Sequence, residues 1–196
     1  MNKIVIVTGT PGAGKTSIVN GAMMNGKELS YKTVSMGTEM NEIAVKNGYV
    51  KNRDEMRKLH PKVIEKLRAQ ALKKINKMKG NLIIDTHATV KSGNRYVPGF
   101  SSREINILEG LKAFIYVDSE ATDIIIRRAR DLNRKRDVDN IEELKQQMEL
   151  NLSLITSYSI QNDVPLPIFI IENKENKLDH AIEQAEEILA DIFKNG

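Results

Sequence analysis

The segment Gly9-Thr10-Pro11-Gly12-Ala13-Gly14-Lys15-Thr16 leaves this chain little freedom of fold. It is a complete G-x-x-x-x-G-K-[ST] pattern between the apolar run Ile4-Val5-Ile6-Val7 and a stretch that reads as a helix from Gly14 onward. A buried strand has to end in a tight glycine turn whose backbone N–H groups point inward, and a helix N-terminus adds partial positive charge. In that setting Lys15 reaches the β- and γ-phosphates of a nucleotide, and the Thr16 hydroxyl completes a Mg²⁺ shell. The plain alternative is a turn that merely joins strand to helix, and the full pattern at such a junction argues against it. The loop, with Ser17 behind it, predicts ATP or GTP binding and is silent about what receives the phosphate.

The remaining segments fit the strand–helix alternation that this motif needs. Short apolar runs at Tyr31–Met36, Leu82–Ile84, Ala113–Val117 and Ile168–Ile171 read as strands covered on both faces. Between them, Val63, Leu67, Ala71 and Ile75 recur at helical spacing behind Pro61, which suits a first helical turn. Helical patterns also span Ile141–Ile160 and Leu178–Phe193. Such alternation predicts one α/β domain, a parallel sheet with helices on both faces.

Composition narrows the chemistry. Cysteine is absent, which excludes disulfides, thiolate zinc sites and a catalytic thiol, and the His residues show no metal-ligand spacing. No apolar run reaches membrane-span length and no signal-peptide cleavage pattern follows the first strand, so a soluble, cytoplasmic protein is expected. The net charge of +4 attracts polyanions, nucleotides and nucleic acids alike. Aromatics make up only 5% of residues and no RNA-recognition signature occurs, so nucleic acid is not the expected partner.

Asn81–Asp85 is an apolar strand ending in an acid, which would place Asp85 beside the phosphates to hold Mg²⁺, directly or through water. Arg127, Arg128, Arg130, Arg134, Lys135 and Arg136 crowd the end of one helix and the loop after it, where a closing lid would lie. Arg127, Arg130 and Arg134 share a helical face and can converge on one anion, whereas Arg128, Arg130 and Lys135 read equally well as solvated surface. A second cationic cluster, Arg53-Asp54-Glu55-Met56-Arg57-Lys58-Leu59-His60, stands far away in sequence. Two clusters and one loop suggest two phosphate-bearing ligands; a charged helix paired internally is the competing reading. His87, two residues past Asp85, would sit near an acceptor.

Several of these segments together resemble the archaeal adenylate kinases, a compact branch of the nucleoside monophosphate kinases among P-loop NTPases. The matching stretches are Val7–Thr16, Gly37-Thr38-Glu39-Met40, Asn52–Leu59, Ile84-Asp85-Thr86-His87, Tyr96-Val97-Pro98-Gly99, Ile125–Arg128, Arg134–Asp137 and Ile171–Lys174, in the family's order over nearly the whole chain. The resemblance implies a five-stranded parallel sheet with a short lid at about 127–139, Mg²⁺-dependent transfer from ATP to AMP giving two ADP, and a trimer. It also implies an AMP-binding region at about 36–60 with Thr38, Arg53, Arg57 and His87, lid arginines Arg134 and Arg136 acting with Arg127 and Lys15 in transfer, and an ATP adenine near Asn173 and Lys174. This chain departs from the family in two places. Lys135 stands where the lid motif has Asn, and the helix 141–160 lacks the Arg that relatives direct at the phosphates, for which Arg103 or Arg130 is the candidate substitute. Another monophosphate as acceptor, or an ATP-dependent switch or RNA-associated module, are the alternatives.

Overall fold

The computed structural model describes residues 2–25, 30–92, 95–130, 140–161 and 165–195. Its main sheet has five parallel strands in the order β2-β3-β1-β6-β7, with β1 (Ile4–Gly9), β2 (Tyr31–Ser35), β3 (Asn81–Asp85), β6 (Leu111–Asp118) and β7 (Ile168–Glu172). Each expected apolar run is one of these strands. Residue alternation splits them into two cores: Ile4, Ile6, Leu82, Ile84 and Phe114 face one side, and Val5, Val7, Ile83, Ile115 and Val117 the other. Period-two alternation with both faces buried is why the runs are apolar throughout.

Helices α2 (Met36–Lys46), α3 (Pro61–Asn76) and the C-terminal half of α6 (Ile141–Ser159) cover the first face, through residues such as Met40, Leu67, Leu72 and Ile155. The opposite face is covered by α1 (Lys15–Asn25), α5 (Ala121–Arg130) and α7 (Leu178–Ala190), with Ile18, Ile124 and Leu189 buried. In α3, Pro61 occupies the first turn and the His60 imidazole accepts from Lys62 N–H, so this start is set by local chemistry.

Some elements are not evident from periodicity. Helix α2 follows β2 without a loop, so Met36 opens a helix rather than ending a strand. An antiparallel hairpin, β4 (Thr89–Ser92) with β5 (Arg95–Pro98), and the short α4 (Ser102–Ile105) fill the stretch between β3 and β6. Ser101 and Glu104 form a reciprocal capping box that starts α4, and Glu104 also pairs with Arg68 of α3 at 3.1 Å. The chain passes from β1 toward β2 and β3 on one side, then to β6 and β7 on the other. That reversal opens a crevice beyond the carboxyl ends of β1 and β6, where ligands bind in open α/β sheets.

Candidate active site

The loop Gly9–Lys15 enters this crevice from β1. Gly9 and Gly14 have φ of +148° and +93°, a region that side chains disfavour. Both are also crowded: a Cβ on Gly9 would collide with Val117 O, and one on Gly14 with Asn173 Nδ2. Their small size therefore lets the loop lie flush against β6 and the turn after β7.

What turns the loop's amides inward is visible in where its carbonyls go. Arg128 donates from Nε and Nη2 to Pro11 O at 2.8 and 2.6 Å. Asn173 Nδ2 donates to Ala13 O at 2.7 Å, and Arg127 Nη1 reaches the same carbonyl at 3.4 Å. With these carbonyls held from the outside, the N–H groups on the opposite edge of the peptide planes are left for an anion. Asn173 is itself fixed, since its carbonyl accepts from Ser119 Oγ at 2.7 Å and Arg127 Nη2 at 3.0 Å.

Lys15 is only 4% exposed, and its Nζ donates to Gly9 O at 3.1 Å and Thr10 O at 3.2 Å. A buried ammonium this close to the loop can turn to phosphate oxygens, whose charge repays its desolvation better than a neutral carbonyl does. Beside it, Thr16 Oγ1 donates to Asp85 Oδ2 at 2.8 Å. A hydroxyl and a carboxylate at the mouth of the loop are the hard oxygen donors that Mg²⁺ prefers, so these residues fit the ion.

Arg127 and Arg130 do share a face, but they converge on an acid of this chain. Glu175 lies 3.6 Å from Arg127 Nε and 3.1 Å from Arg130 Nη1. Both arginines, with Gly14, Ser17, Asn173 and Lys174, line a cleft of about 340 Å³ next to the loop. Arg128 corrects the reading of a solvated cation, being spent on the loop's backbone. Arg134 and Arg136 lie outside the described residues.

On the other side of the loop, Thr38 is exposed in the first turn of α2, and His87 is half-buried just past the end of β3. Arg53 and Arg57 lie on a 3₁₀ segment, Arg53–Lys58, opened by Asn52 Oδ1 accepting from Glu55 N–H at 3.2 Å; their side chains are outside the description.

One part of the site has no counterpart in the sequence reading. Thr10 Oγ1 accepts from Asn151 Nδ2 at 3.0 Å, and Tyr116 of β6 is buried in the core of the sheet. Burial pushes the Tyr116 hydroxyl up to about 12, so it stays protonated and donates to Met148 O at 3.3 Å. The sequence signal was Asn151 itself, a poor helix former between Leu150 and Leu152 in mid-helix.

Comparison with known proteins agrees with this geometry. A family model described as an AAA domain matches residues 8–145. The chain is 34% identical to the adenylate kinase of Methanothermobacter thermautotrophicus over 191 residues, covering 95% of this chain and 99% of that protein. It is equally 34% identical to the adenylate kinase of Methanocaldococcus jannaschii, covering 96% of this chain and 98% of that protein. Among solved structures it is similar in fold to a shikimate kinase from Acinetobacter baumannii in complex with shikimate, with TM-score 0.64, 18% identity, and coverage of 100% of this chain and 95% of that one.

Proposed function

The chain belongs to the adenylate kinase family and is a phosphotransferase, and we propose that it moves the γ-phosphoryl group of ATP to AMP reversibly at the Gly9–Thr16 loop. The single observation that carries this reading is the buried Lys15 held over the loop's mouth beside the Thr16–Asp85 pair at 2.8 Å. The loop amides and Lys15 receive the β- and γ-phosphates, and Lys15 neutralises charge as it spreads over the moving group. Thr16 and Asp85 would hold the Mg²⁺ that arrives with ATP, which would supply charge neutralisation to the phosphates.

The adenine of ATP occupies the cleft lined by Asn173, Lys174, Arg127 and Ser17. AMP lies across the crevice near Thr38, Arg53, Arg57 and His87, and Arg134 and Arg136 close over the donor. Because Arg127 is shared between Ala13 O, Asn173 O, Ser119 and Glu175, its proposed part in transfer begins with release from some of them. Assembly as a trimer in the cytoplasm belongs to the same proposal, supported by the resemblance. Among the described residues no helix is long and apolar enough to cross a membrane.

The test is an ADP-forming assay offering AMP, CMP, UMP and GMP separately with MgATP. The reading expects turnover with AMP to exceed the others; no preference for AMP contradicts it.

A further inference from the structure

A chain of buried polar groups joins the phosphate loop to the hairpin that begins just past His87. Gln147 Nε2 lies 3.1 Å from Thr89 Oγ1, Thr89 Oγ1 lies 2.6 Å from Asn151 Oδ1, and Asn151 Nδ2 lies 3.0 Å from Thr10 Oγ1. Thr10, Thr89, Asn151 and Gln147 are 1%, 0%, 0% and 2% exposed, so solvent cannot stand in for any link.

Chemistry orders the donors. The Gln147 amide nitrogen can only donate, so Thr89 Oγ1 accepts from it and sends its own hydrogen to Asn151 Oδ1. Asn151 must then turn its NH₂ toward Thr10, where it donates. The chain has one direction, and each group in it has one role.

Its placement gives it a purpose. Glu143, Gln147 and Asn151 stand at i, i+4 and i+8 on α6, so they form one stripe along the helix. At the start of the stripe, Glu143 Oε2 pairs with Lys91 Nζ at 2.8 Å, and Glu143 O accepts from Tyr96 OH at 3.2 Å, both from the hairpin. Two turns later the same stripe holds Thr10. That residue's carbonyl accepts from both Ala13 N and Lys15 Nζ, at 3.0 and 3.2 Å, so displacing Thr10 displaces the Lys15 ammonium.

We propose that Thr89 and Asn151 are positioning residues, which set the loop and its lysine at a fixed distance from the acceptor side through the chain Gln147–Thr89–Asn151–Thr10. The inference rests on the reading that AMP is bound beyond the end of β3. The amide cradle is local to residues 9–16 and holds ATP without the chain. In-line transfer depends on the separation of donor and acceptor, and misplacement by about 1 Å costs up to about 100-fold in rate. The stripe therefore acts on turnover more than on donor affinity, from a helix whose sequence carries no arginine at these positions.

The experiment compares Thr89→Val, which keeps the side chain's shape without the hydroxyl, with Thr89→Ser, which keeps the hydroxyl. Thr89→Val is expected to lower kcat about tenfold or more while KM for ATP moves less than about threefold, and Thr89→Ser to retain most of the rate. Asn151→Leu should give the same split, and the double variant with Thr89→Val should be no worse than the slower single variant. Rates are referred to the folded fraction from thermal unfolding; if Thr89→Val does not fold, Gln147→Met removes one donor at similar volume and reads the same chain. Equal loss from valine and serine, or a rise in KM for ATP without loss of kcat, overturns the proposal. A wild-type chain that makes no ADP from ATP and AMP defeats the functional reading instead, whereas an active wild type matched in kcat by Thr89→Val defeats this inference alone.

Discussion

On the donor side of the crevice, the phosphate cradle is made by consecutive residues, 9–16, with Arg127, Arg128 and Asn173 pinning its carbonyls from behind. On the proposed acceptor side, Thr38, the 3₁₀ segment Arg53–Lys58 and His87 come from separate elements, Thr38 and His87 following strands β2 and β3, which pair side by side. The difference teaches where preorganisation comes from. A cradle of backbone amides is built as soon as its strand, turn and helix form, and its geometry needs only local clamps. The proposed acceptor site, assembled from distant segments, would depend on the whole sheet and on the positioning role proposed for the Thr89–Asn151 chain.

Substitutions that touch one side and spare the other break this contrast or sharpen it. The largest effect is expected for Lys15→Ala, which removes the buried cation from transfer: kcat should fall about 1,000-fold, and a near-normal initial rate would contradict its role. Next comes the proposed acceptor residue Arg57. Arg57→Ala should raise KM for AMP about tenfold or more and leave KM for ATP within about twofold, since a lost charged hydrogen bond is worth about 1.5–3 kcal/mol. Comparable shifts in both constants would erase the two-sided picture.

Arg128→Ala is the mirror experiment. It removes two bonds to Pro11 O behind the cradle, so KM for ATP should rise about five- to tenfold, with KM for AMP little changed. The smallest effect concerns Asp118 at the end of β6, whose carboxyl is held above its ordinary value first by burial and then by Glu172. Its folded value exceeds the unfolded one, so the group costs stability as pH rises above the ordinary carboxylate value of about 4. Asp118→Asn should therefore raise Tm slightly at pH 7, and the gain should vanish below about pH 4. An equal gain at both pH values would show that its charge is not the cause.

How much of this was legible in the residues follows the same division. The strands, α3, α6 and α7 show as apolar runs or stripes because buried faces impose periodicity. The loop was legible because its function resides in adjacent residues. Helix α2 and the β4–β5 hairpin were not, because Gly37, Thr38 and Glu39 interrupt any stripe and the hairpin strands are four residues each. Arg128 looked like surface since nothing in its neighbours reveals Pro11 O across the fold. Arg127 and Arg130 were correctly placed on one face, but their partner, Glu175, lies 45 residues beyond Arg130 and is brought near by the turn after β7.

The measurement that reaches the central claim most directly is titration of the full chain with a dinucleotide whose two adenosines are joined by five phosphates. One such molecule spans donor and acceptor sites together. One is expected to bind per chain, displaced by ATP and by AMP alike, and weakened strongly by Lys15→Ala. Two bound per chain, or displacement by ATP with no effect of AMP, would show that the crevice beyond β1 and β6 does not hold both nucleotides.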